Sequence, residues 1–423
     1  MQQSCYSRPN RLVFLVAAIL CFVSAIACGS TNTIHSFTGG STDGANPWGG
    51  LTLDASGNLY GTTSKGGSGR CPDGCGTVYR LSPSAEGWTE SILYNFQGAS
   101  IGDGSNPEGP LVVDASGNFF GYTEAGGSRA LGTVYELSPE TNGTWTEKVL
   151  YSFGSKGFDG FYPIGSLAFD PSGNLWVATW SGGSTGQGTI VELVPSSSGV
   201  WTESVVYSFP NIGKPLGINP GGIIFDAAGN LYGVTVFGGT TGHNGAGVVF
   251  QLVKSNGLFG QKILHRFPTF STTALQTPTG GLLLDPSGTL YMTMSRGGNG
   301  GAGVSALNLN TLTVTDLYSS DGPQTIQPYE ALVRDSAGNL FSASFYSKNG
   351  NEIGFKCPDL CGFVYELSHD GSNWNWLSLG HFIGDNGSNP TGGVTIDASG
   401  NLFGVTYQGG TNNLGVVYEV SRQ

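Results

Sequence analysis

The sequence predicts an all-β protein folded as a seven-bladed β-propeller, with four antiparallel strands in each blade. Three observations predict this fold: a sevenfold repeat, short alternating strand patterns inside each repeat, and an N-terminal strand that completes the last repeat. Glycine supplies 71 of the 423 residues, far above the roughly 7 % of average proteins. Short runs of Val, Ile, Thr, Tyr and Phe alternate with polar residues, which is typical of β-strands and not of helices.

The repeat is built on the segment Asp54–Gly61, which reads Asp-Ala-Ser-Gly-Asn-Leu-Tyr-Gly. Further copies begin at Asp114, Asp170, Asp226, Asp285, Asp335 and Asp397. Successive copies are 50 to 62 residues apart, which is close to the length of one four-stranded propeller blade. Residues 29–423 are therefore predicted to form a single domain of seven repeats.

A complete copy contains four strand patterns, named A to D. In the first copy they cover 49–53, 58–63, 76–81 and 88–96. The A-to-B turn reads Asp-x-x-Gly-Asn in nearly every copy, which indicates a tight turn in which Asp accepts backbone hydrogen bonds. Calcium ligation is the alternative, but the motif is too short for an EF-hand loop and lacks its distal Glu.

The two ends of the chain supply complementary parts of one repeat. The seventh copy has strands A, B and C, and the sequence ends at Gln423 without a strand D. Ile34–Phe37 resembles the end of strand D and has no blade of its own. We expect this strand to close the last blade, which leaves no open edge between blades. A linear β-solenoid is the alternative, and it would require capped ends.

Residues 1–28 are predicted to be a signal peptide, because two arginines precede an apolar run at 12–27. A transmembrane anchor is the alternative, although 16 apolar residues are short for a span. Ala25-Ile-Ala27 fits an ordinary cleavage site, whereas Cys28-Gly-Ser resembles a lipid-attachment box. The prediction is an extracytoplasmic bacterial protein, either secreted or held as a periplasmic or outer-surface lipoprotein through Cys28. That lipid would be its one membrane contact.

Four other cysteines form two matched pairs in the B-to-C loops of copies one and six. In an oxidising compartment these pairs predict the disulfides Cys71–Cys75 and Cys357–Cys361. A shared four-cysteine zinc site is the alternative. His35, His265 and His381 occupy the strand-D position of Tyr94 and Tyr151, which indicates packing, so no metal site and no cofactor is predicted.

The chain carries 17 basic and 29 acidic residues, for a net charge of -12. A phosphate backbone would be repelled, and this excludes nucleic acid as a partner. The remaining partners are an extracellular protein or a polysaccharide, and the chain itself is expected to be a monomer.

Several motifs together resemble a known family. They are Asp-Gly-Ala-Asn-Pro (43–47), the Gly-Gly-Leu of strand A, Asp54–Thr63, the Gly-Gly pair after strand B, Gly-Thr-Val-Tyr in strand C and Leu-Tyr-Ser-Phe in strand D. This set is similar to the tandem GloVer repeat of exported bacterial proteins, over about residues 32 to 423. The resemblance implies a propeller-like array and brings no established activity or catalytic residues.

The B-to-C and D-to-A loops vary between copies, and they lie on one face of a propeller, so this face is the predicted binding face. Aromatic side chains there could stack on sugars or anchor a protein; burial between blades is the alternative. The candidates are Trp48, Tyr162, Trp180, Phe345, Tyr346 and Tyr407. A binding scaffold is thus favoured over an enzyme. The alternatives are a carbohydrate-active hydrolase or lyase, using the loop carboxylates Asp43, Asp103, Asp159 or Asp385, and a surface protein without a specific ligand.

Overall fold

The structure is a computed structural model that describes residues 31–211, 213, 215–240, 245–268, 274–296, 302–319, 332–345 and 361–422. The predicted signal peptide, Cys28, Tyr346 and Cys357 lie outside these residues. Apart from one 3-10 turn at Ala99–Ile101, the regular elements in this part of the chain are β-strands. No helix of the described residues is long and apolar enough to cross a membrane.

The described strands form seven antiparallel sheets, numbered here as blades in chain order. Blade 1 contains β2 (Gly44–Pro47), β3 (Thr52–Leu53), β4 (Leu59–Gly66), β5 (Thr77–Ser84) and β6 (Gly87–Asn95). Blade 2 contains β7 (Gly104–Val113), β8 (Phe119–Gly126), β9 (Thr133–Pro139) and β10 (Trp145–Ser152). Blade 3 contains β11 (Gly160–Phe169), β12 (Leu175–Gly182), β13 (Thr189–Pro195) and β14 (Trp201–Ser208). Blade 4 contains β15 (Gly217–Phe225), β16 (Leu231–Gly238), β17 (Val248–Ser255) and β18 (Leu258–Arg266).

The remaining blades follow the same order. Blade 5 contains β19 (Gln276–Leu284), β20 (Thr289–Arg296), β21 (Gly303–Asn308) and β22 (Thr313–Ser319). Blade 6 contains β23 (Val333–Arg334), β24 (Leu340–Ser344), β25 (Phe363–His369) and β26 (Trp374–His381). Blade 7 contains β27 (Ser388–Pro390), β28 (Thr395–Ile396), β29 (Leu402–Gln408), β30 (Val416–Val420) and the N-terminal strand β1 (Thr31–Ser36).

The N-terminal strand closes the ring, as the sequence predicts. β1 pairs antiparallel with β30, from Thr31 opposite Val420 to Ser36 opposite Val416. Phe37 follows β1 and is fully buried, and its amide donates to the carbonyl of Gly415 at 3.1 Å. This pairing is the prediction that separated a propeller from a linear solenoid, and it confirms the propeller.

The innermost strand differs from the prediction. Strand A was expected at 49–53, but its pairing in blade 1 begins at Gly44 and is interrupted between β2 and β3. In blade 2 the equivalent strand β7 runs without a break from Gly104. The pairing extends back to Gly44 because a left-handed residue near the start of strand A, described below, holds this segment against the preceding blade.

Glycines at the centre let the inner strands touch backbone to backbone. A Cβ added to Gly49 would lie 2.1 Å from the carbonyl oxygen of Gly109 in blade 2. A Cβ on Gly392 of blade 7 would lie 2.5 Å from the amide nitrogen of Gly50. Side chains at these positions would push the blades apart, and this explains the Gly-Gly-Leu motif.

The core lies between blades. Among the described residues, seven apolar clusters each join two successive blades. The cluster between blades 7 and 1 includes Phe37, Tyr79 and Phe403. Each blade thus buries both faces against its neighbours, so the ring order fixes the position of every loop.

The A-to-B turns confirm the structural interpretation of the repeated Asp. Asp54 Oδ1 accepts hydrogen bonds from the amides of Ser56 (2.8 Å) and Asn58 (2.9 Å), and Oδ2 accepts from Asn58 Nδ2 at 2.7 Å. Burial opposes ionisation, but the bonds from Asn58 and Ser56 hold the pKa of Asp54 below its usual value. The carboxylate is therefore part of the turn itself.

Candidate functional site

The loop face is defined as the end of the propeller that carries the B-to-C and D-to-A loops. Antiparallel pairing places the end of every strand B beside the start of strand C in the same blade. In blade 1 this loop contains the Cys71–Cys75 disulfide, as predicted. Cys361 is buried, and its predicted partner Cys357 lies outside the described residues.

The aspartates proposed for catalysis fix the D-to-A loops. Asp103 Oδ2 accepts from the amide of Gln97 at 2.6 Å and from the hydroxyl of Tyr94 at 3.0 Å. Asp43 accepts from the amide and hydroxyl of Thr38, each at 2.7 Å. The third aspartate, Asp159, accepts from Tyr151. These carboxylates hold the loop backbone.

The seventh copy differs at this position. The side chain of Asn386 accepts a hydrogen bond from the amide of Ile383 at 2.8 Å. This bond is equivalent to the one that Asp43 accepts from the amide of Thr38. Asp385 is therefore not the equivalent of the other three aspartates, although the sequence grouped it with them. A one-residue shift within the loop accounts for the difference.

A second feature of the loop face, seen in six blades within the described residues, joins a blade to the one before it by a hydrogen bond. Asn46 has a left-handed backbone (φ 55°), and its amide donates to the carbonyl of Leu414 in blade 7 at 2.7 Å. The following Pro47 lies against Gly415, where an added Cβ would be 2.6 Å from the proline ring. The same left-handed position is occupied by Asn106, Tyr162, Asn219, Thr277 and Asn389.

Tyr162 is the aromatic exception in this series. Asn tolerates the left-handed conformation, whereas a bulky side chain rarely adopts it. Tyr162 has φ 57° and remains 41 % exposed. Four residues earlier, Phe158 has φ 61° and is 73 % exposed. Two strained aromatic residues thus point outward from one short segment.

These two residues belong to a larger group, which we call the aromatic row: Phe158, Tyr162, Trp180 and Phe237. The β11–β12 register pairs Phe161 with Ser181 and Pro163 with Thr179, so Tyr162 lies across from Trp180. The ring of Trp180 meets that of Phe237 in blade 4 edge to face, with centroids 6.3 Å apart. The row therefore extends across the junction of blades 3 and 4.

The other predicted aromatics do not join the row. Trp48 packs on Tyr407 across the junction of blades 7 and 1, with centroids 5.1 Å apart, and both are half-buried. Asn46 Nδ2 also donates to the carbonyl of Tyr407 at 3.0 Å. For this pair, packing between blades accounts for the side chains. Phe345 is half-buried after β24, and Tyr346 lies beyond the described segment.

The sequence reasoning missed an acid pair beside the row. Both residues belong to blade 2. Glu108 occupies the repeat position that Trp48 has in blade 1, and Glu124 occupies the position that Trp180 has in blade 3. Burial and the charge and hydrogen bond of Glu124 raise the pKa of Glu108 to about 8. An added Cβ on Gly132 would meet both Pro163 and the carbonyl of Glu124, within 2.8 and 3.0 Å. The acid pair is thus next to the segment that carries Tyr162.

A polar cluster at the junction of blades 7 and 1 was also missed. His35 Nε2 lies 3.6 Å from Asp43 Oδ1 and 3.7 Å from Glu90 Oε1. His35 also packs edge to face on Phe37, as the packing prediction implies. The three residues of this cluster come from β1, a loop and β6, so the cluster could not be predicted from the spacing of residues in the sequence.

The fold and its repeats define a tandem-repeat β-propeller. The chain belongs to the Gloeobacter/Verrucomicrobia repeat family, which matches residues 21–242, 150–356 and 219–423 in three overlapping stretches. This confirms the resemblance seen in the sequence. No curated protein has a sequence that matches the chain.

Solved structures share the fold at low sequence identity. The extracellular domain of a putative hybrid two-component system from B. thetaiotaomicron has a TM-score of 0.52 and 12 % identity, over 93 % of this chain and 40 % of that one. The Pseudomonas aeruginosa periplasmic gluconolactonase has a TM-score of 0.50 and 14 % identity, over 89 % and 98 %. A puromycin hydrolase mutant has a TM-score of 0.50 and 13 % identity, over 85 % and 50 %. The likeness thus spans half or less of the first and third of these chains, and it shows the fold alone.

Proposed function

We propose that this protein is an exported β-propeller that binds a polysaccharide or a protein through its loop face. The aromatic row is the proposed contact surface, with the Glu108–Glu124 pair at its edge. The rest of the ring is then a rigid support for this surface.

The observation that carries the proposal is the left-handed backbone of two exposed aromatic residues, Phe158 and Tyr162. A left-handed conformation costs a non-glycine residue roughly 1–2 kcal/mol. Phe158 is 73 % exposed, and Tyr162, which packs edge to face on Phe161, is still 41 % exposed. The left-handed backbone at Tyr162 also makes the hydrogen bond to the preceding blade, to the carbonyl of Leu131 at 3.2 Å, but Asn or Thr makes this bond in the other described blades, so the bond does not account for an exposed tyrosine. Strained residues are concentrated at functional sites in proteins, and here two of them carry rings that face solvent.

The chemistry of the surface suits a flat or ring-shaped ligand. Tyr and Trp combine a large apolar ring with a polar group, and they bury much surface at low entropic cost. Carboxyl groups beside the rings would accept or donate hydrogen bonds to sugar hydroxyls or peptide amides. Three of the four candidate catalytic aspartates, Asp43, Asp103 and Asp159, are instead bonded to loop backbone, and this favours binding over catalysis.

Three observations support export. The chain contains a disulfide, which persists in oxidising compartments, and its first 28 residues have the pattern of a signal peptide. Two of the proteins with the same fold are described as periplasmic or extracellular. Cys28 would be the point of lipid attachment. The mass of the mature N terminus tests this part, and retention of residues 1–27 would contradict it.

Arrays of glycans and of extracellular proteins test the binding surface. The informative variant is Tyr162→Asn, which restores the residue found at this position in blades 1, 2, 4 and 7. We expect it to lose at least about tenfold in affinity, typical of an aromatic contact residue. Its melting temperature should be equal to or higher than that of the wild type, because Asn relieves the strain.

Leu258→Ala is the matched control, since Leu258 is 77 % exposed at the turn between β17 and β18, on the opposite face. It should bind as the wild type does. Unchanged affinity in Tyr162→Asn, or an equal loss in Leu258→Ala, would contradict a binding site at the aromatic row.

A further inference from the structure

We propose that His35, Asp43 and Glu90 bind a divalent cation of the zinc class, which joins the N-terminal closing strand to blade 1. This site is independent of the aromatic row. It lies at the junction where the first strand of the chain completes the ring.

The spacing of the three side chains fits one metal ion. Zinc–nitrogen and zinc–oxygen bonds of about 2.0–2.2 Å in a tetrahedron place neighbouring ligand atoms roughly 3.3–3.6 Å apart. His35 Nε2 lies 3.6 Å from Asp43 Oδ1 and 3.7 Å from Glu90 Oε1. All three ligand atoms lie within 4.8 Å of one another. These separations are too long for hydrogen bonds.

Two of the proposed ligand atoms are buried without a partner. His35 Nε2 and Glu90 Oε1 are inaccessible to solvent and make no hydrogen bond within the described part of the chain. The hydroxyl of Tyr79, a completely buried residue, is also unpartnered, but so are the hydroxyls of its counterparts Tyr135 and Tyr418 in blades 2 and 7, so the proposal does not rest on it. Buried polar groups of native proteins are normally satisfied. Glu147 and Glu203, the counterparts of Glu90, also have an unpartnered Oε1, so it is the additional unpartnered Nε2 of His35, 3.7 Å from Glu90 Oε1, that points to a missing ligand.

Asp43 is already oriented by its surroundings. Its Oδ1 accepts from the amide of Gly44 at 2.6 Å, and its Oδ2 accepts from Thr38. Such outer contacts are a regular feature of metal ligands. Two carboxylates would balance the charge of a divalent ion, and the mixture of one imidazole with two carboxylates suits Zn²⁺. The side chains of His35 and Glu90 retain 19 % and 17 % exposure, which leaves a route for the ion.

The other blades show what the same position does where the full triplet of His, Asp and Glu is absent. In the next two junctions Tyr94 and Tyr151 take the place of His35, and each donates directly to the loop aspartate, at 3.0 and 2.6 Å. His265 and His381 occupy the position in blades 4 and 6. His381 contacts Ser378 at 3.2 Å, while Asp316, which faces His265, bonds Ser305. Among the described junctions, the full triplet of His, Asp and Glu occurs where blade 7 meets blade 1.

Titration of tag-free, EDTA-treated protein with Zn²⁺, followed by calorimetry, tests the proposal. We expect one zinc per chain at this site and a higher melting temperature with Zn²⁺ than with EDTA. His35→Tyr is the informative variant, because tyrosine occupies the same position in blades 1 and 2. It should keep the fold and lose at least about tenfold in zinc affinity.

Two further variants complete the experiment. Glu90→Gln should weaken zinc binding in the same way, because the amide is a much poorer ligand than the carboxylate. His265→Tyr changes the equivalent histidine of blade 4 and should bind zinc as the wild type does. Absence of zinc binding by the wild type, or undiminished binding by a folded His35→Tyr variant, would overturn the proposal.

Discussion

Gly49 shows how single residues set the diameter of the ring. Because Gly49 has no side chain, the inner strand of blade 1 can contact the carbonyl of Gly109 in blade 2. A Cβ added to Gly49 would lie 2.1 Å from that carbonyl oxygen. Its own backbone conformation is not left-handed, so the constraint is steric and comes from the neighbouring blade.

Gly49→Ala is therefore expected to destabilise the protein by roughly 1–3 kcal/mol, as overpacking does. Gly260→Ala in β18 is the control, because nothing lies within 4 Å of its added Cβ. The control should be neutral or up to about 1 kcal/mol stabilising. Chemical denaturation of both variants measures the two changes. Equal stability of the two would mean that the inner strands do not touch.

Some residue-level features could be predicted from the sequence and others could not. The Asp-x-x-Gly-Asn turn is local: Asp54 accepts hydrogen bonds from residues within five positions of itself, so its part in the turn can be predicted from the motif. His35, Asp43 and Glu90 come together through the pairing of β1 with β30 and the packing of blade 7 on blade 1. Glu108 and Glu124 likewise meet through the β7–β8 register. Contacts that depend on register across strands are not visible in a single sequence.

At the scale of elements, strand D of blades 1, 2 and 3 carries a glutamate at one repeat position, half-buried at Glu90 and Glu147 and buried at Glu203. Glu147 in β10 is the counterpart of Glu90. Burial and the charge of Asp103 raise the pKa of Glu147 to about 8. The folded state thus binds this proton more tightly than the unfolded chain, in which the pKa is near its usual value of 4.5.

The sign of the pH dependence follows from this difference. The contribution of Glu147 to stability is fully present below pH 4.5 and is lost as the pH rises through about 8. Glu147→Gln should therefore match the wild type near pH 4.5 and exceed it at pH 9. Each unit of pKa difference corresponds to about 1.4 kcal/mol, and solvent at this partly exposed side chain reduces the effect. Thermal unfolding of both proteins at the two pH values measures it.

The control for this comparison is Glu86→Gln, which changes an exposed glutamate in the turn between β5 and β6. It measures what the removal of one exposed surface glutamate does to stability at each pH. A constant difference between Glu147→Gln and the wild type from pH 4.5 to 9 would show that Glu147 does not bind its proton more tightly in the folded state.

Element boundaries were predicted less well than element identity. Strands B, C and D occur where the alternating patterns place them, but strand A begins at Gly44 and is interrupted in blade 1. The Asn-Pro segment appeared to be a loop because Asn and Pro favour turns. It is instead a strand start, held by a hydrogen bond to the preceding blade. A tertiary contact overrides the local preference here.

At the scale of the whole molecule, the ring holds because its two ends share one sheet. Five residue pairs join β1 to β30, and β1 also brings Ile34 and Phe37 into the cluster between blades 7 and 1. The pairing hides the outer edge of β30, which would otherwise be free to pair with other chains.

Deletion of residues 31–37 should therefore lower the stability of the ring on the order of 5 kcal/mol, since fully burying each large apolar side chain contributes about 1.5–3 kcal/mol and the strand hydrogen bonds add to this. The exposed edge of β30 should also promote self-association. Thermal melting and light scattering measure both effects.

The control is a circular permutant that begins before β2 and carries residues 31–37 after Val420, through a flexible linker. In this variant β1 can still pair with β30. It should melt close to the wild type and self-associate no more than the wild type does. If the deletion variant melts as the wild type does, the closing strand does not hold the ring.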